Sequence, residues 1–205
     1  MSENTTVAGI AAPLPLTNLD TDQIMPKQFL FGIDKSGLAR GVLHDLRYDP
    51  SGSLRQGFVL NRPEYQGARI LLAGANFGCG SSREHAVWGL QQAGFEAVIA
   101  PSFGEIFFDS CFENGLLPIA LPVAELDTLA AEAAADELRV ELERCEITAP
   151  SGRVIQFSVH PLQREALLSG RDSIELTLSR EPEIEAFQLR DRELRPWVYE
   201  LDDQR

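Results

Sequence analysis

The chain has 205 residues, with 18 Lys+Arg against 31 Asp+Glu and a formal net charge of −13, which argues against binding a phosphate backbone. Its 44% apolar and 24% charged content is that of a globular domain rather than a disordered segment. No apolar run approaches the ~20 residues of a membrane span, and Met1-Ser2-Glu3-Asn4 opens no signal peptide. A cytoplasmic chain with no nucleic-acid or membrane partner is expected.

In chain order, Thr17-Asn18-Leu19-Asp20-Thr21-Asp22 has turn chemistry and leads through Gln23-Ile24-Met25-Pro26 to the apolar Phe29-Leu30-Phe31. Residues 32–57 carry five glycines with scattered Lys and Arg, which predicts a long, mobile connection of the kind that often holds function. Arg69–Ala73 is predicted as a buried strand, followed by a tight loop at Gly74, Gly78 and Gly80. A helix from Ser81 to about Ala93 stops at Gly94, Glu96–Ala100 is a second strand, and a helix capped by Ser102 stops at Gly115. Leu116–Leu121 is the third strand. This alternation predicts a parallel core with right-handed crossovers.

After an acidic helix at about 123–135, Leu138–Thr148 reads as one strand paired with Arg153–Val159 across Pro150-Ser151-Gly152. A helix from Pro161 to Leu168 closes at Gly170. Ile174–Leu178 alternates as a last strand, before a charged helical tail from about Pro182. The fold class predicted from the elements is α/β with a mixed sheet, as one domain over 1–205.

Cys79, Cys111 and Cys145 form no C-x-x-C pair, and the histidines are His44, His85 and His160. An odd, widely spaced set supports neither a disulfide framework nor a self-contained metal site.

Chemistry concentrates in Asn76-Phe77-Gly78-Cys79-Gly80-Ser81-Ser82-Arg83-Glu84-His85, where a strand hands over to a helix. Glycines let a ligand approach the backbone, a helix N-terminus offers unpaired N–H groups, and Arg83 adds a fork for a carboxylate or phosphate. The segment suits an oxyanion. It is neither a P-loop, a dinucleotide fingerprint nor a nucleophile elbow, because lysine or glycine is missing at the required places. Ser81-x-x-Glu84 and Ser102-x-x-Glu105 also match capping boxes, so a serine here can be structural. Ser81 and His85, four apart, admit a Ser–His pair, although a base on the nucleophile's own helix is unusual. An anion-binding module without catalysis also fits these residues.

Gly78-Cys79-Gly80-Ser81-Ser82-Arg83-Glu84-His85 resembles the swivel domain of the aconitase superfamily. Asp20-Thr21-Asp22-Gln23-Ile24-Met25-Pro26, Ile99-Ala100-Pro101-Ser102-Phe103 and Asn114-Gly115-Leu116-Leu117-Pro118 resemble its other motifs in the same order. A free-standing chain of this size, with Leu168–Leu178 present, is similar to the bacterial long form of the isopropylmalate dehydratase small-subunit family. The resemblance implies a swivelling β/β/α three-layer domain of the aconitase C-terminal type, with a substrate loop at about 27–57 and a C-terminal extension at about 160–205. It implies a hydro-lyase interconverting 2-isopropylmalate and 3-isopropylmalate in leucine biosynthesis, active only with a large subunit. That subunit carries a [4Fe–4S] cluster, and this chain holds no cofactor or metal.

By the same resemblance Ser81 and Arg83 are catalytic. Ser82, Asp22, Leu30, Phe31, Ile33 and Lys35 bind the small dicarboxylate substrate. Leu30, Phe31 and Ile33 suit an alkyl branch, or they pack the loop on the domain. Departures from the bacterial pattern at Gly32 and Asp34 keep related diacids in view, namely methylmalate or citraconate, maleate and homoaconitate.

Overall fold

A strand that is apolar at consecutive positions is satisfied only when both of its faces are covered. That condition is met at the centre of this fold, a computed structural model that describes residues 6–30, 36–81, 83–133, 137–171 and 173–199. Strands β2 (Ile70–Ala73) and β3 (Ala97–Ala100) are buried at every position, and β4 (Leu117–Ala120) at all but its last. They run parallel in the order β4-β3-β2.

The structure adds a strand that the sequence analysis leaves unassigned. Strand β1 (Thr6–Leu14) lies at the middle of a seven-stranded sheet ordered β4-β3-β2-β1-β5-β6-β7. Its second half, Ala11 to Leu14, runs parallel to β2, and its first half, Thr6 to Ile10, runs antiparallel to β5 (Glu137–Glu141). The single strand predicted over 138–148 is two strands. The chain turns through Leu142 to Cys145, where Cys145 takes φ 53°, and resumes as β6 (Glu146–Thr148). The predicted hairpin is present, with Thr148 opposite Val154 at the head of β7 (Val154–Gln156).

Alternate residues of the parallel strands serve two cores. On one face Leu71, Ala73, Val98 and Ala100 pack with Ala86, Val87 and Leu90 of α3 (Glu84–Gln92) and with Phe107 and Cys111 of α4 (Glu105–Asn114). Two short helices, α1 (Thr21–Ile24) and α2 (His44–Arg47), lie on this side. Leu38, Val42 and Leu43, from the glycine-rich connection, are also buried there, and the Leu38 N–H donates to Gln92 Oε1 at 2.8 Å.

On the other face Ile70, Leu72 and Ile99 meet Leu126 and Leu129 of α5 (Val123–Glu132). Leu138, Val140, Ile147 and Ile155 of the antiparallel strands join the same core. The antiparallel half and α5 therefore pack on one face of the parallel half, with α3 and α4 on the other, in the expected layered arrangement.

The described chain divides at Gly170. The first unit ends with α6 (Pro161–Ser169), stopped by Gly170 at φ 64°. In the second, residues 173–178 form a helix, α7 (Ser173–Leu178), rather than the predicted strand. Ile174 and Leu178 are four apart, so over five residues their spacing satisfies a helical face as well as an alternating one.

The predicted tail is α8 (Glu181–Leu194) followed by a 3-10 turn at Pro196–Val198. Buried Asp191 ties the two together, accepting from Arg195 Nε at 2.6 Å and from the Tyr199 hydroxyl at 2.9 Å. These partners, Arg195 foremost, hold the Asp191 carboxyl below its ordinary range.

A carboxyl lowered by folding contributes its stability in full above the unfolded value of ~3.9 and loses it as pH falls through the lower native value. Amide NMR signals of residues 191–199 should therefore hold their shifts from pH 7 to about 4 and move below that range. Asp191→Asn should abolish this acid step, and a step that persists in the variant refutes the account.

Candidate active site

The loops leaving the carboxyl ends of β1, β2 and β3 are laced together by backbone pairing, which makes one rigid platform of three chain segments. Between the first and second loops, the Asn18 N–H donates to Ala75 O at 2.9 Å and the Gly78 N–H to Leu19 O at 2.8 Å. The Thr21 N–H donates to Cys79 O at 3.0 Å. Between the second and third, the Phe77 N–H donates to Ser102 O at 3.1 Å and the Gly104 N–H to Phe77 O at 2.9 Å. Ligands in open α/β sheets bind at this end of the strands.

Neither predicted capping serine caps its helix. The N-cap of α3 is Arg83 and that of α4 is Gly104, both without a capping side chain. The Ser102 hydroxyl instead accepts from the Asn76 N–H at 2.9 Å, because joining two loops outcompetes a local cap. Ser81 is exposed, and its hydroxyl makes no hydrogen bond with the described residues. The capping box that does form is at α1. There Asp20 accepts from the Gln23 N–H at 2.7 Å, and Gln23 Oε1 accepts from the Asp20 N–H at 3.1 Å.

That cap aims Asp22 at the far loop. Asp22 Oδ1 faces Arg83 Nη1 at 2.5 Å, the Arg83 side chain is 19% exposed, and neither buried atom has a further partner. Lys27, well exposed, stands 3.9 Å from the other Asp22 oxygen and adds little. Thr21, which is 2% exposed, donates its hydroxyl to Ser81 O at 2.6 Å.

Ser81, Arg83 and Asp22 are thus brought together over the start of α3, whose first N–H groups carry the partial positive charge of a helix end. Leu30 is half-buried against the helix-side core. Ser82, Phe31, Ile33 and Lys35 lie outside the described residues. His85 lies against the Trp88 ring at 4.8 Å and makes no hydrogen bond to Ser81. Cys79 is half-buried in the loop, and burial pushes the Cys111 thiol well above its ordinary range. Among the described residues no three His, Cys, Asp or Glu side chains are grouped to hold a metal ion.

Thr21 joins the site without having been singled out by its sequence context. Its only signal in the sequence is its place in Asp20-Thr21-Asp22, beside the residues already singled out.

The Aconitase C-terminal domain family matches residues 1–124. The 3-isopropylmalate dehydratase small subunit 1 of Chromobacterium violaceum is 51% identical, over 98% of this chain and 96% of its own. The 3-isopropylmalate dehydratase small subunit of Parvibaculum lavamentivorans is 48% identical, over 94% and 97%. The solved structure of 3-isopropylmalate dehydratase from Methanocaldococcus jannaschii matches at a TM-score of 0.63 and 27% identity, covering 89% of this chain and 99% of that one.

Proposed function

The chain belongs to the Aconitase C-terminal domain family, among the small subunits of 3-isopropylmalate dehydratase, and from that premise we propose that it supplies the proton-transfer half of this hydro-lyase's active site. The reaction interconverts 2-isopropylmalate and 3-isopropylmalate by removing water and adding it back, as a step of leucine biosynthesis. The observation that carries the proposal is an exposed serine hydroxyl that holds nothing in place among the described residues, two positions ahead of the half-buried arginine at the N-cap of helix α3.

In this reading Ser81 Oγ, as the alkoxide, takes the carbon-bound proton α to a substrate carboxylate, becoming the hydroxyl, and returns that proton in the hydration step. A neutral serine is a weak base, so the site must favour negative charge on Oγ. The first N–H groups of α3 and the Arg83 guanidinium both do so. Arg83 has five donors, of which Nη1 faces Asp22, leaving others for the substrate carboxylate.

A [4Fe–4S] cluster on a separate large subunit supplies a Lewis acid for the leaving hydroxyl. The described residues of this chain do not fit such a cluster, since Cys79 lies in the loop after β2, Cys111 in α4 and Cys145 in the turn between β5 and β6, and no three candidate ligands are grouped among them. Leu30, Phe31, Ile33 and Lys35, from the loop of about 27–57, are proposed to reach the substrate together with Asp22 and Ser82. Among the described residues no helix is long and apolar enough to cross a membrane, and the proposed compartment is the cytoplasm.

Anaerobic mixing with the iron–sulfur large subunit from the same source tests the proposal. Ultraviolet absorbance should report turnover of 2-isopropylmalate only when both chains are present. Turnover of citraconate alone would transfer the function to a related diacid hydro-lyase. Arg83→Lys keeps the charge but loses the fork, so KM should rise about 10- to 100-fold with a smaller change in kcat. An unchanged KM removes Arg83 from carboxylate binding.

A further inference from the structure

Resting on the assignment of Ser81 above, we infer that Thr21 is the positioning residue that sets the orientation of the Ser81 hydroxyl. Ser81 cannot orient itself, because its side chain makes no hydrogen bond with the described residues. Its backbone is joined to Cys79 through Gly80, which takes φ 91°, and a Cβ at that glycine would meet nothing closer than Asp20 Cβ at 3.5 Å. As a glycine, that joint has no Cβ to restrict its dihedrals. A residue held only by it would sample several directions, and a reacting oxygen displaced by about 1 Å loses much of its rate.

Thr21 straddles the joint. Its N–H donates to Cys79 O at 3.0 Å on one side of Gly80, and its hydroxyl donates to Ser81 O at 2.6 Å on the other. The two carbonyls flanking the glycine are thereby pinned by one residue, 60 positions away in sequence. Thr21 is itself immobilised. It is 2% exposed, it is the first residue of α1, and the capping box on Asp20 and Gln23 fixes that helix. The adjacent Asp22 grips Arg83, so the same helical turn holds the serine and the arginine at once. Thr21 touches neither substrate nor reacting atoms in this account; it acts through Ser81.

The test uses the pair reconstituted with the large subunit. Thr21→Val keeps the shape, removes the hydroxyl and leaves Ser81 O without its donor. It should lower kcat about tenfold with KM within about twofold of the parent. Thr21→Ser restores the donor and should recover kcat to within about twofold. In a Ser81→Ala background, Thr21→Val should change the residual rate by less than about twofold, because the coupling runs through the removed hydroxyl.

A Thr21→Val enzyme with parental kcat overturns the inference, as does a Thr21→Ser enzyme no better than Thr21→Val. An undiminished Thr21→Val effect in the Ser81→Ala background overturns it too. Should Thr21→Val fail to fold, Thr21→Ser is compared with Thr21→Cys, whose thiol is a weak donor, and equal kcat in those two overturns it. Full turnover by Ser81→Ala alone removes the role of Ser81 itself. Loss of turnover by Ser81→Ala beside normal Thr21→Val removes only the role of Thr21.

Discussion

Ser81→Ala should assemble with the large subunit as the parent chain does, yet turn over 2-isopropylmalate about a thousandfold more slowly, within the range of a lost general acid–base group. Two features separate this from a folding defect. The side chain is exposed and its hydroxyl holds nothing in place among the described residues, so its loss should change stability by less than about 0.5 kcal/mol. The carbonyl that Thr21 does hold belongs to the backbone and survives the substitution. The checking measurements are kcat of the reconstituted pair and the thermal midpoint of the isolated chain. Activity within about tenfold of the parent would withdraw the proton-transfer role from Ser81.

The largest expected loss of stability is at Gly78→Ala. Gly78 sits at φ 71°, which costs a residue with a Cβ about 1–2 kcal/mol. The added carbon would lie 2.2 Å from Phe107 Cγ. Phe107 cannot step aside, because it is 3% exposed and packed edge-on against the fully buried Phe77 at 5.4 Å. Strain and overpacking together should destabilise the chain by about 3–5 kcal/mol, read as a lower denaturant midpoint. A shift below about 1 kcal/mol would mean that the loop after β2 yields more readily than its pairings indicate. The same crowding recurs at Gly104, whose Cβ would meet Gly78 O at 2.5 Å.

The parallel core was legible because its strands are apolar at every position and its helices end in glycines, both local signals. Strand β1 was not. Thr6–Leu14 contains three alanines, Gly9 and Pro13, which dilute the strand preference of Thr6, Val7 and Ile10. Its conformation is set by neighbours far along the chain, β2 on one side and β5 on the other. Gly9 makes room for the Arg69 stem, whose Cδ would be 3.0 Å from an added Cβ. The Arg69 guanidinium in turn donates to Ala8 O at 2.7 Å and pairs with Glu96.

The site divides in the same way. Ser81, Arg83 and Asp22 were identifiable from residue type and resemblance, whereas the Thr21 bond to Ser81 O leaves no trace in local composition. Ser81 and Ser102 matched a capping pattern that the tertiary bonds between loops override.

The place of β1 bears on how the chain folds as it leaves the ribosome. Its first half waits for β5, which follows it by more than 120 residues. At ordinary elongation rates that interval is roughly 6–25 s. During it the parallel strands can form while one flank of β1 stands open as a bare edge, the state in which nascent chains recruit each other. Gly9 breaks the apolar run along that flank, and Pro13, inside the parallel half, has no N–H to offer a mispaired ladder. The alanine-, glycine- and proline-bearing composition that hid this strand thus also suits a segment whose first half stays unpaired until β5 emerges.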